Sequence, residues 1–189
     1  MNLKEPIPIQ NKNFQQIIQN YLFECPVCTY NTSKDVNGKR IEKGDKAYNY
    51  ALKRVSRRGK SFQDRGLGGS GLVSLLAAMK RTTPEVRICT ISGDDEITTP
   101  EVREYITTRK DNKVGTVAGY YYLIRNSFAH GCFEVSKIGR ETFYSFENYT
   151  QSGKLKGKAR LSERSLLKWI ELINMSVDEL RSVGKVENQ

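Results

Sequence analysis

Arg125, Asn126 and His130 close the run Arg125-Asn126-Ser127-Phe128-Ala129-His130, and their side chains are the ones that phosphodiester chemistry uses. An arginine fork grips a phosphate and keeps its charge. An imidazole exchanges a proton near neutral pH and can serve a ribose hydroxyl. An asparagine amide orients either partner. The run ends a stretch with apolar residues at Val114, Val117, Tyr121, Ile124 and Phe128. That spacing predicts a helix from Val114 to about Phe128, with Gly131 as its stop. At about 100° per residue, Asn126 and His130 fall close together, roughly opposite the apolar stripe. Arg125 falls at the edge of the stripe, where its length carries the guanidinium outward. A helix that stays regular to His130 thus brings three polar groups to one cleft. Its carbonyl end suits a cation there. The same spacing also suits a plain helix end, with His130 capping the last carbonyls and Arg125 in a surface ion pair. His130 is the one histidine of the chain, so imidazole chemistry has a single candidate per copy.

Other groups point the same way or stand apart. Tyr122 shares the face of Asn126 and His130, and could stack a base, line a dimer interface or pack on its own subunit. Lys53, Arg54, Arg57, Arg58, Lys60 and Arg65 form a basic run with Phe62 inside it, which suits either an RNA backbone or a solvated face. Gly66-Leu67-Gly68-Gly69-Ser70-Gly71 has the spacing G-x-G-x-x-G, but no strand precedes it and no Gly-Lys-Ser follows. Cys25 and Cys28 form half of a zinc knuckle. A structural zinc takes about four ligands, and no second Cys-x-x-Cys or Cys-x-x-His completes the set. We therefore expect no cofactor and no metal.

The elements that would position these groups are mostly helical. Phe14, Ile17, Ile18, Tyr21 and Leu22 mark one amphipathic helix. Asn31 to Gly44 reads as a loop or small hairpin, and Asp45 caps a second helix with Tyr48, Ala51, Leu52 and Val55 on its apolar side. Leu72, Leu75, Leu76 and Met79 mark a third. The hexad Thr-Thr-Pro-Glu-Val-Arg occurs at 82–87 and again at 98–103. The second copy predicts a helix start, whereas the first enters a strand. Cys132 to Phe146 reads as a hairpin turning at Gly139-Arg140, and Gly153 to Lys158 as a basic loop. The last helix runs from a Ser162 cap to Gly184, with Leu166, Trp169, Ile170, Ile173, Val177 and Leu180 on one face. The expectation is one mainly α domain over residues 1–189, with a β-hairpin before the C-terminal helix. A small Cys-Pro-Val-Cys loop forms an appendage at 24–44.

Charge supports a polyanionic partner. The chain of 189 residues holds 31 lysines and arginines against 21 acidic residues, a net +10. Nucleic acid is the partner that excess fits best. A spanning helix needs about 20 apolar residues, and the longest nearly unbroken apolar run is Leu72 to Met79. The N-terminus, MNLKEPIPIQ, lacks the apolar core of a secretion signal, so a cytoplasmic protein with no membrane partner is expected.

The run RNSFAHG at the end of a tyrosine-rich apolar helix resembles the R-x4–6-H signature of the HEPN superfamily, in its RNxxxH form. It is most similar to HEPN proteins of bacteria and mobile elements in which RNxxAHG precedes strands and a C-terminal helix. The resemblance is strongest over Val114 to Gly131. It implies a HEPN-like helical bundle and a metal-independent endoribonuclease. It gives Arg125 the scissile phosphate, Asn126 its positioning and His130 the acid–base role. It implies attack by the 2′-hydroxyl, a composite site in a homodimer, and a toxin or anti-phage defence role with an antitoxin or regulatory partner. In the toxin branch paired with a nucleotidyltransferase antitoxin, tyrosine stands two residues after the histidine. Cys132 stands there in this chain, so that pairing is not implied. A catalytically silent, RNA-binding or regulatory HEPN protein is the alternative, and a zinc-knuckle nucleic-acid binder a third.

Overall fold

Strands and helices share the later half of the chain. The computed structural model describes residues 3–4, 9–26, 62, 65–93, 95–109 and 116–183. Their strands are β1 (Leu3–Lys4), β2 (Val86–Ile91), β3 (Glu104–Arg109), β4 (Phe133–Ile138), β5 (Glu141–Tyr149) and β6 (Leu155–Ser162). Their helices are α1 (Lys12–Ile18), continued by a π-helical turn over Gln19–Phe23, then α2 (Ser70–Thr82), α3 (Thr116–Ala129), α4 (Glu163–Leu172) and α5 (Val177–Ser182). The strands form one mixed sheet in the order β1-β4-β5-β6-β3-β2. Only β2 and β3 pair in parallel.

This is an α/β fold, and it corrects the expectation of a mainly helical bundle. Three segments account for the difference. The second Thr-Thr-Pro-Glu-Val-Arg copy starts no helix; the chain bends and enters β3. Both copies therefore lead into strands, which lie side by side as β2 and β3. β3 is buried on both faces, so it shows no alternation, and its sequence EYITTR is rich in strand-favouring residues. Gly153 to Lys158 is not a loop: from Leu155 onward it is β6, between β5 and β3. The expected hairpin does form, turning at Gly139-Arg140, but as two strands of this larger sheet. The last helix is also interrupted at Ile173–Met175. Ser176 and Glu179 form a capping box that starts α5 afresh. The expected loop at 31–44 and the helix after Asp45 lie outside the described residues, as does the 24–44 appendage beyond Pro26.

The described helices pack on one face of the sheet. Phe128 of α3 meets Phe133 of β4 and Phe146 of β5, ring centroids 4.9 and 5.0 Å apart. Phe14 of α1 stacks on Tyr144 of β5 at 6.1 Å. Two buried phenols inside this layer are paired with backbone carbonyls. Tyr21 donates to the Leu166 carbonyl and Tyr121 to the Trp169 carbonyl, each at 3.0 Å. Burial pushes both phenols well above their usual range, so they remain donors.

One glycine sets the approach of α3 to the sheet. Gly157 of β6 faces α3, and a Cβ there would enter the van der Waals shell of Leu123 Cδ1 and lie 3.2 Å from the Thr107 carbonyl oxygen. Leu123 is buried, so moving its side chain disturbs the core around it. Gly157→Ala is expected to lower stability by about 1–3 kcal/mol through overpacking. The shift of the urea unfolding midpoint at constant slope measures it.

Candidate functional site

The site sits at the C-terminal end of α3. The helix stays regular to its last turn: the His130 N–H donates to the Asn126 carbonyl at 2.9 Å. It then ends on Gly131, whose φ of +68° is the left-handed value glycine favours. Cys132 N–H donates to the Ser127 carbonyl at 2.8 Å and Gly131 N–H to the Phe128 carbonyl at 3.3 Å. These two bonds make a Schellman motif, so backbone groups close the helix without help from the His130 side chain. Ser127 ties the same turn to the sheet, donating to the Leu123 and Glu147 carbonyls at 2.9 and 2.8 Å.

Arg125 and Asn126 are brought together. Arg125 Nη1 donates to Asn126 Oδ1 at 2.8 Å. The guanidinium, starting at the stripe's edge, is thus drawn toward the Asn126 side of the helix, where His130 follows one turn on. Arg125 Nε is buried and has no hydrogen-bond partner among the described residues. Asn126 is itself buried. His130 is exposed, and among the described residues nothing holds its ring. Its carbonyl accepts from the Cys132 thiol at 3.7 Å.

The remaining candidates separate. Tyr122 is half-buried and packs against the core. Arg65 Nη1 donates to Asn174 Oδ1 at 2.6 Å and Nη2 to the Glu24 carbonyl at 3.2 Å, so its guanidinium clamps two segments of the protein. Lys53, Arg54, Arg57, Arg58 and Lys60 lie outside the described residues. Cys25 is buried with its thiol 4.0 Å from the Tyr121 carbonyl, and Cys28 lies outside the described residues. Among the described residues no three His, Cys, Asp or Glu side chains cluster to hold a metal. No described helix is long and apolar enough to cross a membrane.

Beside the helix end, the sheet face turned away from the helices carries a cleft of about 460 Å³. Gly131 and Cys132 line it, with Glu147, Tyr149, Lys158 and Arg160. The composition of its basic wall is that of a loop and hides the cleft in the sequence; the two-residue spacing of Lys156, Lys158 and Arg160 is the strand signal. Tyr149 donates to the Glu147 carboxylate, and Lys158 Nζ lies 3.2 Å from its other oxygen. The Tyr149 hydrogen bond, opposed by desolvation and aided by Lys158, holds the Glu147 carboxyl below its ordinary value. A lowered carboxyl steadies the fold above the ordinary carboxylate range and loses that contribution as pH falls through it. Tyr149→Phe is expected to raise the Glu147 pKa, which a carboxyl-carbon NMR titration reads directly.

The chain matches no protein-family model, and no curated protein or solved structure matches it.

Proposed function

We propose that this chain is a metal-independent endoribonuclease whose site is Arg125, Asn126 and His130. The observation that carries the reading is the Arg125 guanidinium: one nitrogen is fixed by Asn126, while the buried Nε has no acceptor among the described residues. Arg125 as a whole is only half-buried, so the outer N–H groups of its planar fork can still meet a phosphate oxygen, the acceptor that suits them best. The resemblance of RNSFAHG to the HEPN signature and the net charge of +10 support the same partner, RNA.

In this reaction the 2′-oxygen attacks phosphorus and the bond from phosphorus to O5′ breaks. One imidazole accepts the 2′-hydroxyl proton. Entering and leaving oxygens lie on opposite sides of phosphorus, so the same ring cannot also protonate O5′. Each chain has one histidine, and the resemblance to HEPN proteins implies a composite site in a homodimer, in which His130 of another copy supplies that proton. Products carry a 2′,3′-cyclic phosphate and a 5′-hydroxyl. A toxin or anti-phage defence role, restrained by an antitoxin or regulatory partner, rests on the resemblance.

A second reading has one observation in its favour. No described residue orients the exposed His130 ring, and a base that transfers protons needs orientation. A regulatory protein that binds RNA without cutting it fits that freedom. Incubation of the wild-type chain with a defined single-stranded RNA in excess EDTA decides between them. Fragments with cyclic phosphate ends are expected. Salt-dependent binding with no fragments would support the binder instead.

A further inference from the structure

We propose that the outer face of the sheet is the track that binds single-stranded RNA and leads it to His130. This deepens the ribonuclease reading and rests on it for the identity of the nucleic acid. The observation is the arrangement of cations on β6. Gly157 and Ala159 turn toward the helices, so Lys156, Lys158 and Arg160 alternate to the other side. Alternate residues of a strand stand about 6.6 Å apart, a step comparable to that between phosphates of an extended nucleotide chain. Cross-strand pairing bounds the patch. Arg160 lies opposite the buried Tyr105, over whose ring its guanidinium sits while donating to the Val102 and Arg103 carbonyls, so Lys156 and Lys158 are the cations of β6 left to meet phosphates.

The face also has a place for a base. Tyr149 is 44% exposed, and its hydroxyl is tied to Glu147. A ring fixed in that way loses little freedom when a base stacks on it. Tyr149, Lys158 and Arg160 line the same cleft as Gly131 and Cys132, which follow His130 directly. A strand lying along β6 therefore arrives at the helix end that carries the imidazole. Lys158 is paired with Glu147 in the free protein, and a phosphate would take its place against that ammonium. This gives a prediction of unusual sign: removing the carboxylate tightens RNA binding.

The test uses full-length His130→Ala protein, expected to cut RNA at least about a hundredfold more slowly, and a labelled 20-nucleotide single-stranded RNA read by fluorescence anisotropy over a salt series. Adding Lys156→Ser and Lys158→Ser is expected to weaken binding at least tenfold at low salt and to flatten the log–log salt slope by about 1.4. Tyr149→Ala is expected to weaken it about 5- to 100-fold. Glu147→Gln is expected to tighten it several-fold. A control pair on the helical layer, Lys80→Ser with Lys168→Ser, removes the same charge elsewhere. Face variants that weaken binding no more than this control overturn the proposal, as does weaker binding by Glu147→Gln. Equal binding of polyglutamate, insensitive to Tyr149→Ala, would make the face a general polyanion surface and overturn the RNA assignment. The ribonuclease reading fails separately. Wild type that never cuts, with the face variants behaving as stated, leaves the track standing and removes the nuclease.

Discussion

His130→Ala is expected to slow RNA cleavage by about 10²- to 10⁴-fold, the range that one positioned proton-transfer group supplies. The substitution is unusually clean. His130 is exposed, and the helix end is closed by the backbone bonds of Gly131 and Cys132. If His130 only caps the helix, its loss costs no more than about 1 kcal/mol and leaves any activity intact. Arg125 offers the complementary variant. Arg125→Lys keeps a cation but loses the planar fork, so cleavage is expected to fall sharply while the salt dependence of RNA binding changes little. Single-turnover rates on one RNA, with circular dichroism as the check on folding, separate the proton-transfer role from the capping role.

The largest effect on stability is expected at Trp169. Trp169→Ala should lower the unfolding free energy by about 3–5 kcal/mol, the cost of emptying a fully buried aromatic site. Trp169 is fully buried, and its indole N–H donates to Thr83 Oγ1 at 3.0 Å. Its carbonyl accepts from Tyr121, whose ring lies 6.4 Å from the indole. Tyr121 belongs to α3, one turn before Arg125, so the cavity opens under the helix that carries the site. Urea unfolding followed by circular dichroism measures the loss. Trp169 is the one tryptophan of the chain, so its fluorescence reports on the parent protein but not on this variant. Trp169→Phe keeps most of the volume and gives up the hydrogen bond, so a much smaller loss is expected.

The sequence was legible where one periodicity stood alone. The stripe from Val117 to Phe128 placed α3, Gly131 placed its end, and the alternation after Cys132 placed the β4–β5 hairpin. It misled where two signals competed. Thr98-Thr99-Pro100-Glu101 has the chemistry of a helix start, yet Glu104–Arg109 is wanted by β2 and β6 on either side, and the sheet prevails. Lys154-Leu155-Lys156-Gly157-Lys158 has the composition of a loop, but its cations alternate as an exposed strand face does. Ser176-Val177-Asp178-Glu179 is a capping box that the apolar face running through it concealed. For the site, spacing puts Asn126 and His130 close together with Arg125 at the edge of the stripe; the structure bonds Arg125 to Asn126 and leaves the His130 ring without a partner among the described residues. Spacing did not foretell that Asn126 is buried, because a wheel shows direction from one helix and not what covers it.

One measurement bears most directly on the account. A defined single-stranded RNA is incubated in excess EDTA with wild type, Arg125→Ala and His130→Ala. A second strand, identical except for a single 2′-deoxy residue at the mapped cut, is run alongside. The account predicts cleavage by wild type, none above background by either variant, and no cut at the deoxy position. Cleavage of the deoxy strand at that position, or undiminished cutting by His130→Ala, would contradict it.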